Sequence, residues 1–225
     1  MKKEFYRRKL PHYNTPGQEY YVTMILNASV PKTALKKNAL ELETAKNQLN
    51  YAIYHKEPDE IVQLHQNKLK ELKKAHSQKI EKILHNEKNP VIDFRKNDNL
   101  NTIIDSLQFW NKRRIENIAW SIMPNHIHWV FYLMKENEML LLQKILHSVK
   151  LFTAREINKN EGKSGRLWSE ESFDTTNRNE NHLYNVINYT LNNPVKAKFV
   201  KLWSEWKGNY INPDYLNFIN EEFGK

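Results

Sequence analysis

Two short stretches hold the residue types that can do chemistry. The first is Pro124-Asn125-His126-Ile127-His128-Trp129. On a strand, side chains alternate faces, so His126 and His128 project to one side and Ile127 and Trp129 to the other. Two imidazoles at that spacing can reach one divalent ion, and a third polar ligand plus water or a substrate oxygen completes such a site. The same pattern also describes two polar residues on a half-buried strand, each hydrogen-bonded locally. The second stretch is Tyr189-Thr190-Leu191-Asn192-Asn193-Pro194-Val195-Lys196-Ala197. Tyr189 and Asn193 lie four apart, so a helix puts them on one face. A tyrosine at a core edge and an asparagine closing the helix before Pro194 would read the same way. The 225 residues include no cysteine, which excludes disulfides, thiolate zinc sites, iron–sulfur clusters and cysteine nucleophiles. A metal must therefore sit on His, Asp, Glu, Asn or Gln.

Elements must position these residues. Tyr20 to Leu26 is aromatic and β-branched and reads as a strand. Residues 97–111 carry Leu100, Ile103, Ile104, Leu107 and Trp110 at helical spacing, with Asp98 or Asn99 as a cap. Residues 115–122 and 126–133 read as a hairpin around Met123-Pro124-Asn125. A long helix is expected over 138–158, a short strand over 167–173, and a helix over 180–193 that Pro194 ends. The expected class is α+β: a ferredoxin-like antiparallel sheet with helices on one face.

Residues 32–90 differ in composition. They contain 12 Lys, 8 acidic residues and four of the nine His, but no Arg, Trp or Gly. Leu35, Leu42 and Leu49 recur every seven residues, and Pro58-Asp59-Glu60 suits the start of a second helix. The expected organisation is a discontinuous domain at 1–31 and 91–203, an inserted α-helical hairpin arm at 32–90, and a tail at 204–225 packed on the domain. His55, His65, His76 and His85 read as solvated or seam residues of the arm.

The chain carries 35 Lys+Arg against 26 Asp+Glu, a net charge of +9, which favours a polyanionic partner. Six Trp, 11 Tyr and 9 Phe add rings that can stack on unpaired bases, although most such rings fill cores. No apolar run approaches the ~20 residues of a membrane span. The charged N-terminus lacks a following apolar stretch, so no signal peptide is expected.

Taken together, Met123-Pro124-Asn125-His126-Ile127-His128, Arg166-Leu167-Trp168, Phe173-Asp174, Arg178-Asn179 and Asn192-Asn193-Pro194-Val195-Lys196-Ala197 occur in an order that resembles the single-tyrosine HUH transposases. The branch it looks most like is the REP-associated tyrosine transposases, relatives of the IS200-like insertion-sequence transposases. The resemblance spans residues 16–30 and 91–203, and the arm has no counterpart in it. It implies that His126 and His128 are metal ligands, that Tyr189 is the nucleophile, and that Asn193 stands where relatives place a third polar ligand, often Gln. It implies Mg²⁺ or Mn²⁺, no nucleotide cofactor, a single-stranded or hairpin DNA substrate and a bacterial cytoplasmic location. Asp174-Thr175 departs from relatives, which often have His after the acidic residue, so DNA specificity does not transfer in detail.

In that reading the ion polarises the scissile phosphate and the 3′ leaving oxygen, and Tyr189 attacks phosphorus, giving a 5′-phosphotyrosine link and a free 3′-OH. A free phenol has a pKa near 10, so its proton needs a destination. Arg113, Arg114, Lys150, Arg178, Lys196 and Lys198 are the candidate DNA contacts. Two other readings stand beside this one: a non-catalytic single-stranded nucleic-acid-binding module of the same fold, and a hydrolytic nuclease in which water attacks. A homodimer and a monomer are both compatible with the sequence.

Overall fold

The computed structural model describes residues 5–7, 11–13, 16–87, 89–135, 142–170, 172–176 and 179–219. The chain divides into two compact units, one of residues 1–27 and 88–225 and one of residues 28–87.

In the first unit, β1 (Phe5–Arg7) and β2 (Pro11–Tyr13) form an antiparallel two-stranded ribbon. The main sheet is built from β3 (Gln18–Ile25), β4 (Ile115–Ile122), β5 (His126–Leu133), β6 (Phe173–Thr176) and β7 (Asn209–Ile211). Its order is β6-β3-β5-β4-β7, and every neighbouring pair is antiparallel. This is the α+β class expected, with β5 at the centre.

Alternation along β5 sorts its residues between two cores. Ile127, Trp129, Phe131 and Leu133 join α3 (Asn97–Phe109) and α4 (Leu142–Asn160) on one face. Val130 meets Leu183, Ile187 and Leu191 of α5 (Glu180–Leu191) on the other. The expectation of helices on one face thus holds for α3 and α4 and is corrected for α5. Its apolar positions 183, 187 and 191 form a stripe of their own and need a second apolar surface.

A β-bulge at Ile118, between Asn117 and Ala119, shifts the β4–β5 register. The extra residue reverses the facing of everything after it. Trp120 and Ile122 therefore point to α3 and α4, while Ser121 lies beside His128. Asn117, fully buried at the bulge, accepts a hydrogen bond from Trp129 Nε1 at 2.8 Å and donates to the Leu107 carbonyl at 3.1 Å.

The strand expected over 167–173 is instead β6, four residues starting at Phe173. Upstream, Trp168 makes only an isolated bridge to Leu26. The Lys150 ammonium takes the carbonyls of Ser169 and Glu170, at 2.9 and 3.3 Å, while the Ser169 N–H donates to the Ile25 carbonyl at 2.8 Å. Of the helix expected over 138–158, positions 138–141 lie outside the described residues, and α4 runs on to Asn160. Strand β7 was not foreseen. Its approach to β4 depends on Gly208, where a Cβ would stand 2.5 Å from the Ile122 carbonyl oxygen and 2.8 Å from Trp206 Nε1. Gly208→Ala is expected to cost about 1–3 kcal/mol, because backbone must move to admit the methyl. Urea denaturation checks this, and an unchanged midpoint would refute it.

The second unit is a helical hairpin of α1 (Lys32–Tyr54) and α2 (Asp59–Asn86). Its buried seam is Asn38, Ala45 and Ala52 on α1 with Leu69, His76, Ile80 and Leu84 on α2. The small alanines carry the close approach, and the leucines of the seven-residue repeat flank it half-buried. His76 Nε2 meets Glu41 Oε2 at 2.7 Å, tying the two helices. Among the described residues, no helix is long and apolar enough to cross a membrane.

Candidate active site

His126 and His128 sit on the central strand and are fully buried. Their neighbours across the ladder are Ile25 and Thr23 of β3. The alternation that sends Trp129 to α3 and α4 sends both imidazoles to the face that α5 covers. The rings stand nearly perpendicular, with centroids 4.8 Å apart. In each ring Nδ1 has a hydrogen-bond partner, from the β4–β5 turn for His126 and from β3 for His128. His126 Nδ1 lies 2.7 Å from Asn125 Oδ1. His128 Nδ1 lies 2.6 Å from the Tyr21 hydroxyl and 3.1 Å from Thr23 Oγ1.

This arrangement can be tested against a divalent ion. Two imidazoles that reach one ion through ring nitrogens at about 2.1 Å keep their centroids about 4.5–5.5 Å apart at right to tetrahedral angles. The observed 4.8 Å falls inside that range. Metal-bound histidines ordinarily have the other ring nitrogen fixed by a hydrogen bond, as both are here. The pair fits an ion taken through Nε2.

Tyr189 arrives from α5. Asn179 caps that helix through its side-chain oxygen, which accepts from the His182 N–H at 2.9 Å. Leu183, Ile187 and Leu191 then press the helix onto the sheet. Tyr189 turns its ring edge-on to His128, with centroids 5.6 Å apart at 79°. It meets Tyr21 in the same way, at 6.1 Å and 89°. Lys196 completes the surround, its ammonium 4.2 Å from the centre of the Tyr189 ring. Edge-on ring pairs and a cation over a ring face are both favourable contacts. Tyr210 and Tyr215 differ in setting. Burial first, then Glu116 and other acidic neighbours, holds both phenols above their ordinary range.

Pro194 does not simply end the helix. α5 stops at Leu191, and Asn193–Lys196 forms one further turn, α6, with Pro194 in its first positions, where a missing N–H costs nothing. Asn193 is fully buried at the start of α6, one turn beyond Tyr189.

The candidate DNA contacts fall in different places. Lys196 and Lys198 follow the tyrosine helix, both exposed, and Lys198 is held in the left-handed region at φ 59°. Arg113 and Arg114 precede β4, whose first residue pairs with Leu133, at the end of β5 away from His126. Five residues separate Leu133 from His128, roughly 17 Å along the strand. The Arg113 guanidinium lies over the Phe109 ring at 4.5 Å. Lys150 belongs to α4 on the opposite face of the sheet, its ammonium on the two carbonyls already described. Arg178 lies outside the described residues.

Tyr21, Thr23 and Asn125 were missed as site residues. Asn125 adjoins His126 in the turn, and Tyr21 and Thr23 share a face of one strand. Only the β3–β5 register reveals that this face is the histidine face.

No family model and no curated protein matches the chain. Among solved structures, that of a REP-associated tyrosine transposase bound to a REP hairpin aligns over 98% of this chain and 90% of that one, with a TM-score of 0.50 and 16% identity. At that identity the two proteins share a fold, an antiparallel α+β sheet with helices.

Proposed function

We propose that the protein binds single-stranded, hairpin-forming DNA and cleaves and rejoins it through Tyr189. The observation that carries this reading is the meeting of Tyr189 with His128 on one face of the sheet. The net charge of +9 and the similarity to a transposase bound to a DNA hairpin support the choice of partner.

His126 and His128, with Asn193 as third polar group, would hold Mg²⁺ or Mn²⁺. The bound ion would supply charge stabilisation at the scissile phosphate and its leaving oxygen. The chain's own residues do the rest. Tyr189 Oη forms the bond to phosphorus as the bond to the 3′ oxygen breaks, leaving a 5′-phosphotyrosine and a free 3′-OH. The phenol proton departs in this step, and the 3′ oxygen takes one up. The ester keeps the energy of the broken linkage, so the 3′-OH of another strand can displace Tyr189 and rejoin DNA. His128 and Tyr21 confine the tyrosine ring, which limits the orientations from which it attacks. Lys196 and Lys198 offer positive charge to the phosphates on either side.

The test is incubation of the full chain with Mn²⁺ and labelled hairpin single strands, drawn from the flanks of its own gene, followed by a denaturing gel. A labelled band migrating with the protein supports the proposal. Free 5′-phosphates without such a band would point to water as the nucleophile. Binding without any cleavage would reduce the protein to a single-strand binding module.

A further inference from the structure

Tyr21 makes and breaks no bond in the chemistry above, yet it touches both halves of the site. Its hydroxyl lies 2.6 Å from His128 Nδ1, its ring stacks on His128 with centroids 5.6 Å apart at 13°, and it meets the Tyr189 ring edge-on. A half-buried core tyrosine needs only one partner for its hydroxyl. Here the partner is the imidazole proposed to ligate, and Thr23 Oγ1 approaches the same nitrogen at 3.1 Å. The two hydroxyls come from alternate residues of β3, a strand that contributes no ligand.

We infer that Tyr21 is a positioning residue for the metal centre, a role that rests on the proposed function. A neutral imidazole carries one N–H. When Nε2 gives its lone pair to an ion, Nδ1 keeps the proton and needs an acceptor. Tyr21 Oη is the nearer acceptor and Thr23 Oγ1 the second. The pair fixes both the tautomer and the plane of His128, while the Tyr21 ring limits where the Tyr189 ring can stand. Loss of such an outer hydrogen bond characteristically weakens metal binding about 10–100-fold.

The experiment compares wild type, Tyr21→Phe, Thr23→Val and His128→Ala as full-length chains. Mn²⁺ affinity is measured by calorimetry without DNA, beside a thermal melt of each variant. Tyr21→Phe is expected to bind Mn²⁺ roughly 10-fold more weakly while melting near wild type, since it keeps the stacked ring. Thr23→Val is expected to lose less, in keeping with its longer contact. Nitrogen-15 shifts of His128 with Mg²⁺ bound should show Nδ1 protonated in wild type and a mixture of tautomers in Tyr21→Phe. Excess Mn²⁺ should restore adduct formation by Tyr21→Phe to within about 2-fold of wild type, which a loss of structure would not allow. If His128→Ala loses Mn²⁺ while Tyr21→Phe binds it as wild type does, the positioning role is overturned and the metal site stands. If His128→Ala itself binds as wild type, the metal site falls and this inference with it.

Discussion

Tyr189→Phe is expected to lose the covalent protein–DNA adduct by at least about 10³-fold, since the substitution removes the attacking oxygen. The substitution removes one oxygen and keeps the ring. The edge contacts to His128 and Tyr21 and the Lys196 ammonium over the ring all involve carbon atoms that phenylalanine retains. Fold stability should therefore change by no more than about 0.5 kcal/mol, and hairpin affinity by less than about 3-fold, equivalent to roughly 0.7 kcal/mol. Adduct yield on a denaturing gel and DNA affinity by fluorescence anisotropy separate the two effects. A Tyr189→Phe protein that forms the adduct at the wild-type level would remove Tyr189 from the chemistry. Tyr184 and Tyr210 would then need the same substitution.

His126→Ala and His128→Ala form the second large expectation. Each should slow adduct formation by about 10²–10⁴-fold, the several kcal/mol that charge stabilisation by an ion contributes. Chelation of divalent ions from wild type should give a loss of the same size, reversed by Mn²⁺. Both histidines are fully buried, and truncation also strands their Nδ1 partners, at about 1–3 kcal/mol of stability. A melting curve therefore accompanies each rate. The double variant is the sharper measurement. Two ligands of one ion act as a unit, so losing both should cost little more than losing the worse one. Multiplicative losses would mean that the two imidazoles serve separate purposes.

Much of this site was legible in residue order. The His-x-His spacing on a strand requires both imidazoles on one face, because the pleat repeats every two residues. The helix expected over 180–193 forms as α5, Glu180–Leu191. The two helices of residues 32–86 followed from periodicity and from Pro58 at the turn. What escaped has identifiable reasons. β7 has three half-exposed residues and no alternation to detect. The bulge at Ile118 breaks period two within a run that is apolar on both faces, so nothing in the run marks the switch. The segment after Trp168, Ser169-Glu170-Glu171-Ser172, is polar and carries no apolar alternation, and a lysine 19 residues before Ser169 takes that residue's carbonyl.

The grouping of basic residues was the least legible part. Arg113, Arg114 and Lys150 are as cationic as Lys196 and Lys198 in sequence, yet the fold sends them to the far end of β5 and to the opposite face. Charge carries no direction until a backbone supplies one.

By itself the sequence determined the chemical inventory: two imidazoles on one side of a strand, a phenol and an amide on one turn of a helix, no thiols, and a basic balance. Local covalent geometry fixes such relations within each element. It does not say which face of a sheet a helix covers. That choice was made by tertiary packing, in which α5 buries Leu183, Ile187 and Leu191 against Val130 and thereby brings Tyr189 to His128. A helix commits to a face where its apolar stripe finds an apolar surface, and that surface is assembled from strands far apart in the chain.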